Sequence, residues 1–341
     1  MLDSFTGQRD TIAPLLVAIA ASERTGRPLP NMLLLGGPGR GKTTLARAVA
    51  ADMHLPFATL HGSSTIERET ITEKIMAAKG GILFIDEIHA LPRQICEELY
   101  RVIDEGTLAV SQNKTETVYR EQAMWVNLQS DLPPEYQWLW HGPYLYMMPV
   151  AIEKPSRQTE IRLVGVGPIT VIGATTDEAL LPEPFYSRLS SLIVRLRAYE
   201  TEELMNIANV HAGTFGLFIT PQASREIAGR SRSTPRKVKQ LVERMADWTI
   251  AVEGDCTINL DIATKVLATL GIDQYGLSKP QRDLLAILRA APNGLSRTSL
   301  AQMLRIPPRN MELNWAELAE AGFVTIDTRH RITEEGRNAY G

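Results

Sequence analysis

Short apolar runs alternate along this chain with segments whose apolar positions recur every three or four residues. The first kind reads as buried strand and the second as amphipathic helix. Residues 32–35 (MLLL), 81–85 (GILFI), 169–174 (ITVIGA) and 192–196 (LIVRL) are of the first kind. A helix-forming run at 45–53 follows the first strand, and another begins at 233–236 (STPR) with Pro in its first turn. Strand and helix in alternation predict an α/β architecture with a parallel sheet. Nearer the C-terminus the pattern changes. Residues 280–291, 296–304 and 310–321 read as short amphipathic helices, the last ended by Gly322. Residues 323–326 alternate like a strand, and Arg329, His330 and Arg331 sit at a turn before Ile332 and Thr333. Three helices and a β-hairpin with a basic tip outline a winged helix. The predicted domains are 1–198 (α/β) and 278–341 (winged helix), with 271–278 as linker and 199–272 as a helical part between them.

Composition adds little but excludes much. With 341 residues, 44% hydrophobic and 22% charged, the chain has ordinary globular makeup and room for two or three domains. Two cysteines, Cys96 and Cys256, give neither a disulfide framework nor a zinc spacing. No apolar run is long enough for a membrane span and no signal-peptide pattern opens the chain, which predicts a cytoplasmic protein. The net charge of −3 is uneven: residues 279–341 carry nine basic against seven acidic side chains, leaving −5 for the rest.

The chemistry is concentrated at three strand ends. After residues 32–35 comes GGPGRGKTT, which fits G-x-x-x-x-G-K-[ST] between a strand and a helix start. Gly36, Gly37, Pro38, Gly39, Arg40, Gly41, Lys42, Thr43 and Thr44 predict a phosphate-cradling loop with backbone N–H groups turned inward at a helix N-terminus. Lys42 would reach the β- and γ-phosphates and Thr43 would join Asp86 on Mg²⁺. Residues 81–85 end in Asp86 and Glu87, and the second acid would polarise the water that attacks the γ-phosphate. His89 reads as a surface or helix-start residue outside the site. Residues 169–174 end in Thr175 and Thr176, a strand end satisfying its own turn or, alternatively, a hydrogen-bond partner of the attacking water.

GPGRGKTTLA, ILFIDEIHALPR, VIGATT, PFYSRLSSLIVRL, Tyr199 with the following TEEL, and RSRSTPRKVKQLVERMADW stand in the order and register of one AAA+ family. The chain resembles RuvB, the motor family of Holliday junction branch migration, over nearly its whole length. Phe5, Gly7 and Gln8 resemble that family's adenine-side motif. The resemblance implies a P-loop AAA+ parallel-sheet domain, a helical lid and a C-terminal winged helix. It implies Thr175 as the sensor-1 residue, Arg188 as an arginine finger for a neighbour's ATP, and Arg236 as the sensor-2 contact to the γ-phosphate. A finger acting in trans implies a homo-oligomer, a hexameric ring in this family. ATP and Mg²⁺ are the implied ligands, duplex or branched DNA the implied partner, and Arg329 and Arg331 the predicted DNA contacts at the wing. Glu312, Glu317 and Glu320 make the third helix acidic, so DNA is not placed there.

Two departures stand out. The interval 110–166 is longer than the short hairpin with which the family docks its partner RuvA, and it holds Trp125, Tyr136, Trp138, Trp140, Tyr144 and Tyr146. It is expected either to dock a protein partner or to fold on itself, and standard RuvA docking is not expected. Tyr186 replaces one of the two usual finger-region arginines. The leading expectation is an ATP-hydrolysing DNA motor. The alternatives are an ATP-gated DNA-binding adaptor or loader that recruits an effector through its aromatic insertion, and a remodeller of protein complexes without DNA contact.

Overall fold

The computed structural model describes residues 2, 5–63, 65–126, 144–305, 315, 317–319, 321–325 and 330–340. Of 111–126, 144–161, 297 and 339–340 it describes the backbone alone. The chain forms two compact units, one made of 1–96 and 168–341 and the other of 97–167.

The larger unit begins with α1 (Arg9–Thr25), β1 (Met32–Leu35), α2 (Lys42–Asp52), β2 (Phe57–His61), α3 (Arg68–Ala77) and β3 (Ile82–Asp86). Helix α4 (Arg93–Glu105) then leads into the second unit's β4 (Thr107–Val126) and β5 (Tyr144–Gly165). The sheet resumes with β6 (Thr170–Thr175), α5 (Glu183–Leu189) and β7 (Leu192–Arg195). Its order is β2-β3-β6-β1-β7, parallel throughout. Every residue of β1 and β6 is buried, as expected of strands covered on both faces. Leu34, Phe84 and Ile172 from the sheet join Leu15 of α1 and Leu45 and Val49 of α2 in one apolar core. Each buried Leu, Ile or Phe contributes about 1.5–3 kcal/mol by leaving water. In register, Leu35 lies beside Thr175 and His61 beside Asp86, so the segments after four parallel strands emerge on one edge. Ligands of open α/β sheets bind at that edge.

A helical segment follows: α6 (Thr201–Gly213), β8 (Phe218–Ile219), α7 (Pro221–Arg230), α8 (Pro235–Trp248), β9 (Thr257–Ile258) and α9 (Leu260–Thr269). Its starts are chemically marked. Thr220 and Asn259 accept the backbone N–H groups of Ala223 and Ile262, and Pro221 and Pro235 occupy first-turn positions. Leu204, Ile227, Val238, Leu241, Val242 and Met245 form its separate core.

The last segment holds α10 (Lys279–Arg289), α11 (Arg297–Leu304), helical residues at 315 and 317–319, then β10 (Val324–Thr325) antiparallel to β11 (Arg331–Ile332), and a closing helix Glu334–Tyr340. Leu284, Leu288, Leu300, Trp315, Leu318 and Val324 form a third core. Ser278 caps α10 in a capping box with Gln281. Arg331 is exposed, whereas Arg329 and most of the acidic third helix lie outside the described residues.

In the second unit, β4 and β5 pair antiparallel from Thr107 opposite Gly165 to Val126 opposite Tyr144, with a register shift between Asn113 and Thr115. Trp125, Tyr144 and Tyr146 thus lie on a long hairpin near its distal end. Tyr136, Trp138 and Trp140 lie outside the described residues. Among the described residues, no helix is long and apolar enough to cross a membrane.

Candidate active site

The phosphate loop leaves β1 with Gly36, Gly39 and Gly41 at positive φ, and Gly41 hands the chain directly to α2 at Lys42. The requirement is clearest at Gly39. Its φ is +76°, and a Cβ there would come 2.7 Å from Thr234 Cγ2 and 3.3 Å from Arg236 Cβ. The loop and the start of α8 therefore approach each other more closely than side chains would allow. Lys42 is buried, and its Nζ donates to Gly36 O at 2.6 Å and Gly37 O at 3.2 Å. Thr43 Oγ1 donates to Asp86 Oδ2 at 3.5 Å. A hydroxyl and a carboxylate converging at the mouth of the loop suit a hard divalent cation, which prefers oxygen donors.

Pro38 to Thr44, Asp86, Glu87 and Arg236 line one cleft of about 410 Å³, with His61, Pro235 and Lys239 completing it. The phosphate-loop residues, Asp86, Glu87 and Arg236 named from the sequence are therefore brought together. Beside the cleft lies an apolar chamber of about 220 Å³ lined by Phe5, Tyr199, Ile207, Val210 and Pro235, among others. Burial pushes the Tyr199 hydroxyl up to about 12, so it stays protonated.

Glu87 stands in the left-handed region at φ 48°, unusual for a residue with a side chain. Its Oε2 accepts from Thr176 Oγ1 at 3.1 Å and Thr176 N at 3.3 Å. Thr175 satisfies its own turn, the first of the two readings of this strand end. Its fully buried hydroxyl donates to Asp177 O at 2.9 Å and also meets His89 Nδ1 at 2.8 Å. Thr176, not Thr175, faces the acid. The reason is alternation: Thr175 is the last residue in register with β1 and points into the sheet's packing, so its successor points outward at the edge. His89, left out by the sequence reading, belongs to this cluster.

Arg188 sits on α5 with Nη1 donating to Pro184 O at 3.0 Å, and it is not among the residues lining the cleft.

The N-terminal Gln8 closes the site from another side. It is buried, at φ 56°, with its amide donating to Arg197 O at 2.8 Å and accepting from Arg197 N at 3.0 Å. Its backbone N–H donates to Glu203 Oε1 at 2.7 Å, and Arg197 grips the same carboxylate through Nη1 at 3.0 Å and Nη2 at 2.8 Å. Burial raises the Glu203 carboxyl, but the N–H groups of Gln8 and Glu200 and the Arg197 guanidinium outweigh it and hold it below the usual range.

Glu317, read from the sequence only as part of an acidic helix, is the hub of a polar junction between the helical segment and the last one. Its Oε2 accepts from Arg232 Nη2 at 2.7 Å, Gln281 Nε2 at 2.8 Å and Lys237 Nζ at 3.4 Å. Arg232 and Ser233, both at positive φ, form the bend that delivers Arg236 to the cleft. Burial raises the Glu317 carboxyl, but Lys237, Gln281 and Arg232 together hold it below its ordinary value. A depressed carboxylate contributes stability above its unfolded pKa of ~4.3 and loses it as pH falls through the lower folded value. Glu317→Gln is expected to destabilise the full chain at neutral pH by on the order of 1 kcal/mol, since the group is half exposed and screened. Thermal unfolding of both proteins should converge only once the pH lies below the depressed folded value, where the wild-type carboxyl is also neutral. A difference that persists unchanged at that pH would show that the charge is not what matters.

The N-terminal 1–126 match the model of the Holliday junction DNA helicase RuvB P-loop domain, and 199–273 match the RuvB AAA lid domain. The Holliday junction branch migration complex subunit RuvB of Thermotoga maritima is 30% identical over 340 residues, covering 98% of this chain and 88% of the relative. The subunit of the same name from Methanoregula boonei is 32% identical over 289 residues, covering 84% and 73%. The solved structure of the T. maritima RuvB Holliday junction branch migration motor superposes with a TM-score of 0.72 at 26% identity, covering 99% of this chain and 96% of that one.

Proposed function

This chain belongs to the RuvB family of AAA+ ATPases, and from that premise we propose that it is an ATP-hydrolysing motor acting on duplex or branched DNA as a helicase or translocase. The observation that carries the proposal is the convergence of Lys42, Thr43, Asp86, Glu87 and Thr176 at one sheet edge with Arg236 of α8, whose start comes up against the phosphate loop.

In this reading the loop N–H groups and Lys42 hold the β- and γ-phosphates. Thr43 and Asp86 hold Mg²⁺, which when bound neutralises charge on the phosphate oxygens. Glu87 accepts the proton of the attacking water, and Thr176 fixes the carboxylate through one oxygen, leaving the other for that proton. The apolar chamber beside Phe5 and Tyr199 takes the base. Arg236 senses the γ-phosphate in its own subunit, and Arg188 completes a neighbour's site in a homo-oligomeric ring, a hexamer by analogy with the family. Gln8, bridging the N-terminal segment to Arg197 and Glu203, carries lid movement to the base-binding side. The last segment is a winged helix whose Arg331, with Arg329, contacts DNA phosphates and so gives affinity without sequence readout.

The test is ATP turnover with and without four-way junction DNA, alongside mass by light scattering in ATP. Junction-stimulated turnover by a ring-sized assembly is expected. Arg329→Ala with Arg331→Ala should weaken the stimulation, and stimulation unaffected by it would count against the wing. Mixing Arg188→Ala with Lys42→Ala subunits should recover part of the turnover that each lacks alone; no recovery would argue against a finger in trans.

The extended β4–β5 hairpin favours one second reading, an ATP-gated DNA-binding adaptor that docks an effector there. Tight ATP-dependent DNA binding with negligible turnover would favour it over the motor.

A further inference from the structure

Immediately after Glu87 the chain makes a single tight helical turn, Ile88–Ala90, seated against β6: a Cβ at Gly173 would come 3.0 Å from Ile88 Cδ1. This seating fixes the His89 ring, whose Nδ1 lies 2.8 Å from Thr175 Oγ1 and 3.4 Å from Glu87 Oε2. The proton inventory decides which atom donates. A threonine hydroxyl has one hydrogen. Thr175 gives it to Asp177 O at 2.9 Å, while its oxygen also accepts from Asp177 N at 3.0 Å. With that assignment of the hydroxyl hydrogen the oxygen accepts from His89, and the imidazole hydrogen lies on Nδ1, the tautomer that also suits the neighbouring Glu87 carboxylate. The same N–H dipole faces the Glu87 carboxylate.

We infer that His89 is a positioning residue for ATP hydrolysis, one that ties the base Glu87 to the end of β6 so that Glu87 and Thr176 hold one arrangement. It is not among the residues lining the cleft, and it acts through Thr175 and Glu87. Three contacts converge on Glu87 Oε2, from Thr176 Oγ1, Thr176 N and the His89 N–H side, which defines the direction of the second carboxylate oxygen. Without His89, the buried Thr175 oxygen loses a partner and the turn keeps only its apolar seat on β6 through Ile88. A base displaced by about 1 Å costs on the order of 100-fold in rate.

This inference rests on the hydrolytic function proposed above. The test compares the full-length wild type, His89→Ala, His89→Asn and His89→Gln for ATP turnover with junction DNA and for affinity toward a non-hydrolysable ATP analogue. Asn places an amide N–H near the position of Nδ1, whereas Gln places its own one bond farther out. His89→Ala should lower kcat by roughly 100-fold with analogue affinity unchanged. His89→Asn should recover most of the rate and His89→Gln should not. Any other ranking, or a loss that tracks weaker analogue binding, overturns the inference. A wild-type chain without ATP turnover removes the proposed function and this inference with it, whereas failure confined to the variants removes this inference alone.

Discussion

Glu87→Gln is expected to bind ATP as the wild type does and to turn it over about 10²–10⁴-fold more slowly, the range that a general base contributes. Gln keeps the shape and can still accept from Thr176, so the two hydrogen bonds that seat Glu87 survive in part. What disappears is the capacity to take a proton. The phosphate loop is untouched, because Lys42 and Thr43 begin α2, after a different strand. Turnover in single-cycle conditions, together with equilibrium binding of ATP, separates the two steps. Hydrolysis at the wild-type rate would remove Glu87 as the base. Weakened binding with a normal rate would instead move it among the residues that hold substrate.

Gly62→Ala should be nearly as damaging, although Gly62 carries no chemistry. The N–H of Gly62 donates to Asp86 O at 2.7 Å, and an added Cβ would lie 2.2 Å from Glu87 O. No real Cβ fits there, and the neighbour is backbone rather than a yielding side-chain end. Either the end of β2 or the left-handed Glu87 must move. The expected result is a loss of turnover on the order of 100-fold through misplacement of the base, with a stability cost of about 1–3 kcal/mol for overpacking. Nucleotide affinity should change little, since the loop after β1 is not involved. Measured kcat, analogue affinity and thermal unfolding of the purified variant test this together. An unaltered kcat would show that the strand end relaxes without disturbing Glu87.

The parts of the site that were legible in the sequence are those encoded over short spans. The phosphate loop is one continuous segment between an apolar strand and a helix, and Asp86 and Glu87 end another apolar run. Spacing along the chain and the order of strand and helix suffice to read such units, because their function depends on backbone conformations that glycines and strand ends announce locally. The helix starts at Thr220, Asn259 and Ser278 likewise carry their capping residues in sequence.

The choice between Thr175 and Thr176 was not legible. Two adjacent threonines at a strand end face opposite ways, and which one reaches Glu87 depends on β6 lying between β1 and β3. His89 was read as peripheral because its partner Thr175 is 86 residues away. Gln8 with Arg197, and Arg232 with Glu317, are pairings of the same kind, spanning 189 and 85 residues. Charge type alone suggested that the acidic third helix stands away from DNA; the structure turns Glu317 toward Arg232 and Lys237.

By itself, the sequence determined that this protein is an α/β chain with a phosphate loop and an acidic strand end, because buried strands, glycine turns and helix caps are local consequences of residue type. Tertiary structure alone decided which threonine meets the base, that His89 ties the base to its neighbouring strand, that Gly62 must lack a side chain, and that Glu317 joins the helical segment to the last one. Those features arise where distant segments meet, and contact across a parallel sheet edge or between packed helices leaves no periodicity in the chain from which to read it.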